Sequence, residues 1–278
     1  AVLNILLDPL FIFVLGWGVK GAAAATVLSQ AVSALWVMQF LTGPRAQLRL
    51  KRRYLRLDRQ RTGKILSLGF SGFVMAFTNS AVQVVCNSVL SSYGGDLYVR
   101  VMTVRSSIRE VVSMPVQGIT GAAEPVLGFN YGAGLRQRVR QGIRFISVCS
   151  LLYSLLVWGV IRLFPSPLIR IFNNDDALVG TAIPALGLYF ATFFMMALQF
   201  AGQSTFVSLG KSKQAVFFSI FRKVIIVVPL TILLPKLPMF GVNGVFWAEA
   251  ISNVIGGIGC FGTMYLTVYR PLGRETPV

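Results

Sequence analysis

The chain has 278 residues, 55% of them hydrophobic and 13% charged, with 26 basic residues against nine acidic ones and no histidine. A mean hydropathy of +0.70 excludes an ordinary water-soluble fold. Without histidine, a CxxC pair, a GxxxxGK loop or a nucleophile elbow, the parts for metal-assisted hydrolysis, nucleotide hydrolysis and triad chemistry are missing, and no enzyme is expected.

Apolar runs follow one another along the chain at 1–15, 19–41, 65–92, 97–127, 142–164, 182–209, 215–234 and 241–269. About 20 such residues cross a ~30 Å hydrocarbon core as a helix. In lipid only helices or closed barrels satisfy the backbone, and these runs are too long for barrel strands. The fold class expected is all-α, a polytopic membrane helical bundle with eight transmembrane helices.

The first two runs are echoed by the last two. Gly18-Val19-Lys20-Gly21 with Ala25 and Ser29 lies 223 positions before Gly241-Val242-Asn243-Gly244 with Ala248 and Ser252, and Pro9-Leu10 is matched by Pro229-Leu230. Both copies cross in the same direction, which implies two parallel six-helix repeats, twelve helices in all, with four expected upstream of Ala1. The organisation read is 1–44 as the last two helices of an N-terminal lobe, 45–64 as a basic cytoplasmic linker, 65–269 as a six-helix C-terminal lobe and 270–278 as a cytoplasmic tail.

The net charge of +17 is sorted by loop. Nine basic residues from Arg45 to Lys64, then Arg136, Arg138, Arg140 and Arg144, then Lys211 and Lys213, then Arg270 and Arg274 fill alternate linkers. The opposite linkers hold only Lys20, Arg170 and Lys236. This is the positive-inside pattern, so a multi-pass protein of the cell inner (plasma) membrane with a cytoplasmic C-terminus is expected. No aromatic and basic residues interleave as they would in a nucleic-acid surface, and no nucleic-acid partner is expected. Cys86, Cys149 and Cys260 fall inside apolar runs, where packed free thiols are expected.

Three stretches carry a family resemblance. Asn4-Ile-Leu-Leu-Asp8-Pro9 with Gly18–Gln30, then Pro125-Val-Leu-Gly-Phe-Asn130-Tyr-Gly-Ala133, then Ser208-Leu-Gly-Lys211-Ser-Lys213 resemble, in order, segments of the multidrug and toxic compound extrusion (MATE) family. The resemblance covers helices five to twelve. It implies a monomeric antiporter that exports cationic, often aromatic compounds in exchange for protons or sodium ions, with no other cofactor and with the lipid bilayer as surroundings. It also places Asn4, Asp8 and Thr26 in a cation-coupling site.

Embedded ionisable groups are costly and mark function. Asn4 and Asp8 are four apart and share a helix face; the alternative reading is that Asp8 hydrogen-bonds backbone freed by Pro9. Glu249, at the repeat position of Thr26, is read either as a C-lobe site residue or as a structural partner of Arg105 or Arg109. Neutral polar residues inside such helices face the bundle interior; Asn79, Gln83, Gln199 and Gln203 join Glu249 as a candidate polar or substrate cavity. Gly118 with Gly121, and Gly256-Gly257 with Gly259, are read as close helix approaches. Two alternatives stay open. One is a lipid-linked oligosaccharide flippase of the same superfamily, whose cationic cavity Arg105, Arg109, Arg222 and Lys223 could supply. The other is a truncated chain without transport activity.

Overall fold

The computed structural model describes residues 2–44, 46 and 58–273. Most of the basic linker expected over 45–64 and of the tail expected over 270–278 lies outside the described residues. The chain forms two compact units, Ala1–Gly63 and Lys64–Val278.

The described residues contain helices and no strand. Among the described residues six helices are long and apolar enough to cross a membrane by length and composition, beginning with Gly18–Thr42 and ending with Gly241–Gly273. Their outer surfaces suit lipid: Val27, Leu35 and Trp36, Phe145, Leu152 and Leu156 are all exposed, an arrangement that water would penalise at about 25 cal/mol per Å².

In the first unit, α1 (Val2–Pro9) runs through a π turn at Leu10–Val14 and packs on α2 (Gly18–Thr42). The next helix, α3 (Arg59–Gly132), belongs to the second unit from Lys64 onward and is broken at Gly95, whose φ of 66° and ψ of −167° no helix allows. Asp58 caps its start, its Oδ1 accepting from the Gln60 amide at 2.9 Å. The break separates the two apolar runs that sequence places at 65–92 and 97–127. Then follow α4 (Arg136–Leu163), α5 (Pro165–Arg170), α6 (Asp176–Tyr189), α7 (Phe193–Ser208), α8 (Ser212–Ile220), α9 (Val228–Leu233) and α10 (Gly244–Met264). A 3₁₀ turn at Phe190–Thr192 joins α6 to α7, and a π turn at Phe221–Val227 joins α8 to α9.

The sequence repeat is also a repeat of local geometry. Gly18 and Gly241 both open their copies at positive φ, 52° and 48°, a region that costs any other residue about 1–2 kcal/mol. Three residues on, Gly21 lies so close to the preceding segment that a Cβ would meet the Phe11 carbonyl oxygen at 2.6 Å. The Cβ of an alanine at Gly244 would meet the Leu234 carbonyl carbon at 2.8 Å. Phe11 and Leu234 are themselves 223 apart, and Ala25 and Ala248 are both fully buried. In each copy a proline also lies beside a π turn: Pro9 directly precedes Leu10–Val14, and Pro229 lies one residue beyond Phe221–Val227. A proline supplies no amide to the helical ladder, and a wider turn is one way to re-register it.

The core of the second unit has two apolar clusters. Tyr189, Phe190, Phe193 and Phe246 centre one, with Leu90 and Met102 from α3. Leu127, Ile143, Phe206 and Met264 centre the other. Small residues let α7 and α10 approach. A Cβ at Gly257 would run into the Met195 carbonyl, and one at Gly202 would meet the Cys260 sulfur at 2.9 Å. The expected close approach at Gly118 and Gly121 is not found, since both face open space. Gly259 meets only the edge of the Phe218 ring, at ordinary contact distance. Cys86 and Cys260 are buried free thiols and Cys149 is half-buried.

Candidate functional site

The second unit contains a cavity of about 810 Å³. Its walls come from both arms of α3, from α7 and from the π turn between α8 and α9. Four residues singled out from sequence, Asn79, Gln83, Gln199 and Gln203, line it together. The fifth, Glu249, sits in a small annex of about 20 Å³ that shares Asn79, Gln83, Arg109, Arg222 and Lys223 with the main cavity and adds Arg105.

Each amide is placed by its helix. Asn79 and Gln83 are four apart on the first arm of α3, as are Gln199 and Gln203 on α7, so each pair presents one face. Gln83 Nε2 donates to Ser106 Oγ across the two arms at 3.4 Å. Gln203 Nε2 donates to the Ala215 carbonyl at 3.1 Å, fastening α7 to α8. Gln199 Oε1 is buried on the wall without a hydrogen-bond partner.

Glu249 takes a partner that sequence reasoning missed. Arg222 Nη1 donates to Glu249 Oε1 at 3.2 Å and to Asn253 Oδ1 at 2.7 Å, all three residues being buried. Tyr189 OH reaches the same carboxylate oxygen at a long 3.5 Å. The pairing proposed from sequence, to Arg105 or Arg109, is therefore corrected. The Arg105 guanidinium instead lies 4.0 Å from the centre of the Tyr189 ring and donates to Ser106 Oγ at 3.0 Å. The reason is packing: Gly256 makes room for the Arg222 stem, since a Cβ there would meet Arg222 Cδ at 2.6 Å. The available signal was Arg222-Lys223 in the middle of an apolar run, where two adjacent charges need buried partners.

Lys223 Nζ donates to neutral acceptors only, the Met75 carbonyl at 2.9 Å and Thr78 Oγ1 at 3.5 Å. Both basic residues sit on the π turn, a feature that recurs at functional sites. Together the cavity and its annex present four basic side chains against Glu110 and Glu249, a formal excess of two positive charges.

In the first unit, Asn4 Nδ2 donates to Asp8 Oδ1 at 3.1 Å, and both side chains are half-buried. Thr26 is exposed, and its hydroxyl donates to the Ala22 carbonyl of its own helix at 2.9 Å. Among the described residues no hydrogen bond joins Thr26 to Asn4 or Asp8. The hydrogen bond thus joins two of the three expected residues, on α1, and α1 packs on α2, which carries the third.

Known proteins share this arrangement of helices. Over 265 residues the chain is 22% identical to "Multidrug export protein MepA" of Staphylococcus saprophyticus, covering 95% of this chain and 58% of that one. Over 260 residues it is 26% identical to "Probable multidrug resistance protein NorM" of Thermotoga maritima, covering 91% of this chain and 55% of that one. The chain thus spans little more than half the length of the curated relatives it matches. A solved structure described as "Reverse polarity of binding pocket suggests different function of a MOP superfamily transporter from Pyrococcus furiosus Vc1" superposes with a TM-score of 0.91 at 26% identity, over 99% of this chain and 61% of that one. Another, "Crystal structure of MATE in the bent conformation", gives 0.88 at 25% identity, over 98% and 60%. The MatE family model matches residues 72–233, more than half of the sequence and the whole of the cavity wall except Glu249, and the chain belongs to that family.

Proposed function

We propose that the chain is the greater part of a secondary antiporter, a transporter rather than an enzyme, that exports small amphipathic drugs or metabolites in exchange for protons or sodium ions. The observation that carries this reading is the cavity of about 810 Å³, set among apolar helices and lined by convergent amides and charges. Its size falls within the roughly 300–1,000 Å³ of small-molecule sites. The multidrug export names of the relatives support the same activity. On this reading the eight apolar runs are helices five to twelve of a monomeric twelve-helix protein of the inner membrane, with Gly95 dividing two spans and the C-terminus cytoplasmic.

Asp8 is proposed as the coupling group. Asn4 donates to it and would orient whichever carboxylate oxygen is left to meet a proton or a hard cation. Thr26 would support it as a neutral oxygen ligand, since a hydroxyl that donates to the Ala22 carbonyl keeps its oxygen lone pairs. The test is uphill efflux of a fluorescent aromatic substrate from proteoliposomes under an imposed proton or sodium gradient. It uses a transporter that carries this sequence together with the upstream helices. Asp8→Asn is expected to slow gradient-driven export at least tenfold while leaving the protein folded. Export at the parental rate would move the coupling site elsewhere, Glu249 being next.

A second reading, the flipping of a lipid-linked saccharide, is favoured by the basic residues of the cavity wall. Cell-envelope or polysaccharide defects on deletion, without a change in drug susceptibility, would support it over export.

A further inference from the structure

We infer, on the transport reading above, that the cavity of the second unit receives the negatively charged group of an organic anion, a phosphate or carboxylate on an amphipathic molecule, rather than an organic cation. The charge balance is the first ground. Arg105, Arg109, Arg222 and Lys223 line the cavity and its annex, and among the described residues the only carboxylates there are Glu110 and Glu249. Glu249 is occupied by Arg222. Glu110 is exposed, on the opposite side of the wall's charge balance but outnumbered. Lys223 spends its ammonium on two neutral oxygens, and among the described residues neither it nor Arg109 forms an ion pair.

Unmet donors are the second ground. Arg105 Nε, Arg222 Nε and Ser113 Oγ are buried in or beside this cavity without an acceptor, on residues at most 5% exposed. Donors removed from water without partners are destabilising unless something else supplies the acceptor. Placing several cations among apolar helices costs still more, and such groups mark substrate or ion paths. A ligand with two or three anionic oxygens adds the missing negative charge and accepts from those faces of the Arg109, Arg222 and Lys223 side chains that line the cavity. An organic cation would meet the excess of positive charge and satisfy none of these donors, although the wall also holds one unmet acceptor, Gln199 Oε1. Met75, Met196 and Phe200 on the same wall supply an adaptable apolar surface for the rest of the molecule.

The probes are 1-naphthyl phosphate and (1-naphthylmethyl)trimethylammonium, which share an aromatic body and differ in the sign of the head. They are titrated calorimetrically into the full 278-residue chain in nanodiscs of zwitterionic lipid. The phosphate is expected to bind at least tenfold more tightly. Lys223→Gln should weaken it at least fivefold. Glu110→Gln changes an exposed residue and cannot fail through the core; it should tighten the phosphate about threefold. Equal or tighter binding of the ammonium, binding of neither probe, or indifference of the phosphate to both substitutions overturns the inference. Farnesyl diphosphate separates the two sources of such a group. Tenfold preference for it assigns a lipid-linked anion, and parity or preference for naphthyl phosphate assigns a soluble one; both support the site. Failure of gradient-driven efflux would leave these binding results standing, so the two readings fail separately.

Discussion

Replacing either partner of the Arg222–Glu249 pair should destabilise the second unit, and the two replacements should differ. At 3.2 Å the attraction between the charges is about 5 kcal/mol at an effective dielectric near 20. Removing one member of a buried pair typically costs about 3–5 kcal/mol, because the other charge is left behind. The surroundings make the costs unequal. Without Arg222, the Glu249 carboxylate still has Arg105 and Arg109 in its annex; a cation even about 8 Å away is worth ~2 kcal/mol at that dielectric. It also keeps Tyr189 OH. Without Glu249, four cations share the site with no buried carboxylate, and Arg222 keeps only Asn253. Glu249→Gln should therefore cost about 3–5 kcal/mol and Arg222→Gln about 2 kcal/mol less. The double substitution should cost less than the sum, because the two residues share one interaction. The assay is reversible unfolding in mixed dodecyl maltoside and dodecyl sulfate micelles, followed by circular dichroism. Should Arg222→Gln prove as damaging as Glu249→Gln, or the pair of changes prove additive, the electrostatic account of this site would be refuted.

Two further predictions use the same unfolding assay. Gly257→Ala should destabilise by about 1–3 kcal/mol, as overpacking does, because its methyl would strike the Met195 carbonyl; Gly118→Ala, facing open space within a helix, should be neutral or gain up to about 1 kcal/mol. Gly18→Ala and Gly241→Ala should each cost about 1–2 kcal/mol, since both glycines hold a left-handed conformation at the start of their repeat. Equal effects at Gly257 and Gly118, or none at Gly18 and Gly241, would contradict the packing and the backbone geometry described.

What the sequence determined by itself was whatever depends on one helix at a time. Run length and mean hydropathy demand helices suited to lipid, and α2, α4 and the 33 residues Asp176–Ser208 follow from that alone. Four-residue spacing put Asn4 beside Asp8 and paired Gln199 with Gln203, because a helix stacks such positions whatever surrounds it. The repeat was legible as well, since Gly18 and Gly241 answer to local backbone needs and Gly21 and Gly244 to the segment just before them. Tertiary structure decided what lies between helices. Arg222 and Glu249 are 27 residues apart on different helices, and their meeting depends on Gly256 yielding space to an arginine stem. Nothing in the periodicity of either helix distinguishes that partner from Arg105 or Arg109, so the expected pairing went to the wrong arginines. The hydroxyl of Thr26 shows the local side of the same division: it donates to the Ala22 carbonyl one turn back in its own helix, a bond that helix geometry offers whatever packs around it. Whether five amides and four cations share a cavity and its annex is set by how α3, α7 and the π turn rotate about their axes, and side-chain packing alone fixes that rotation.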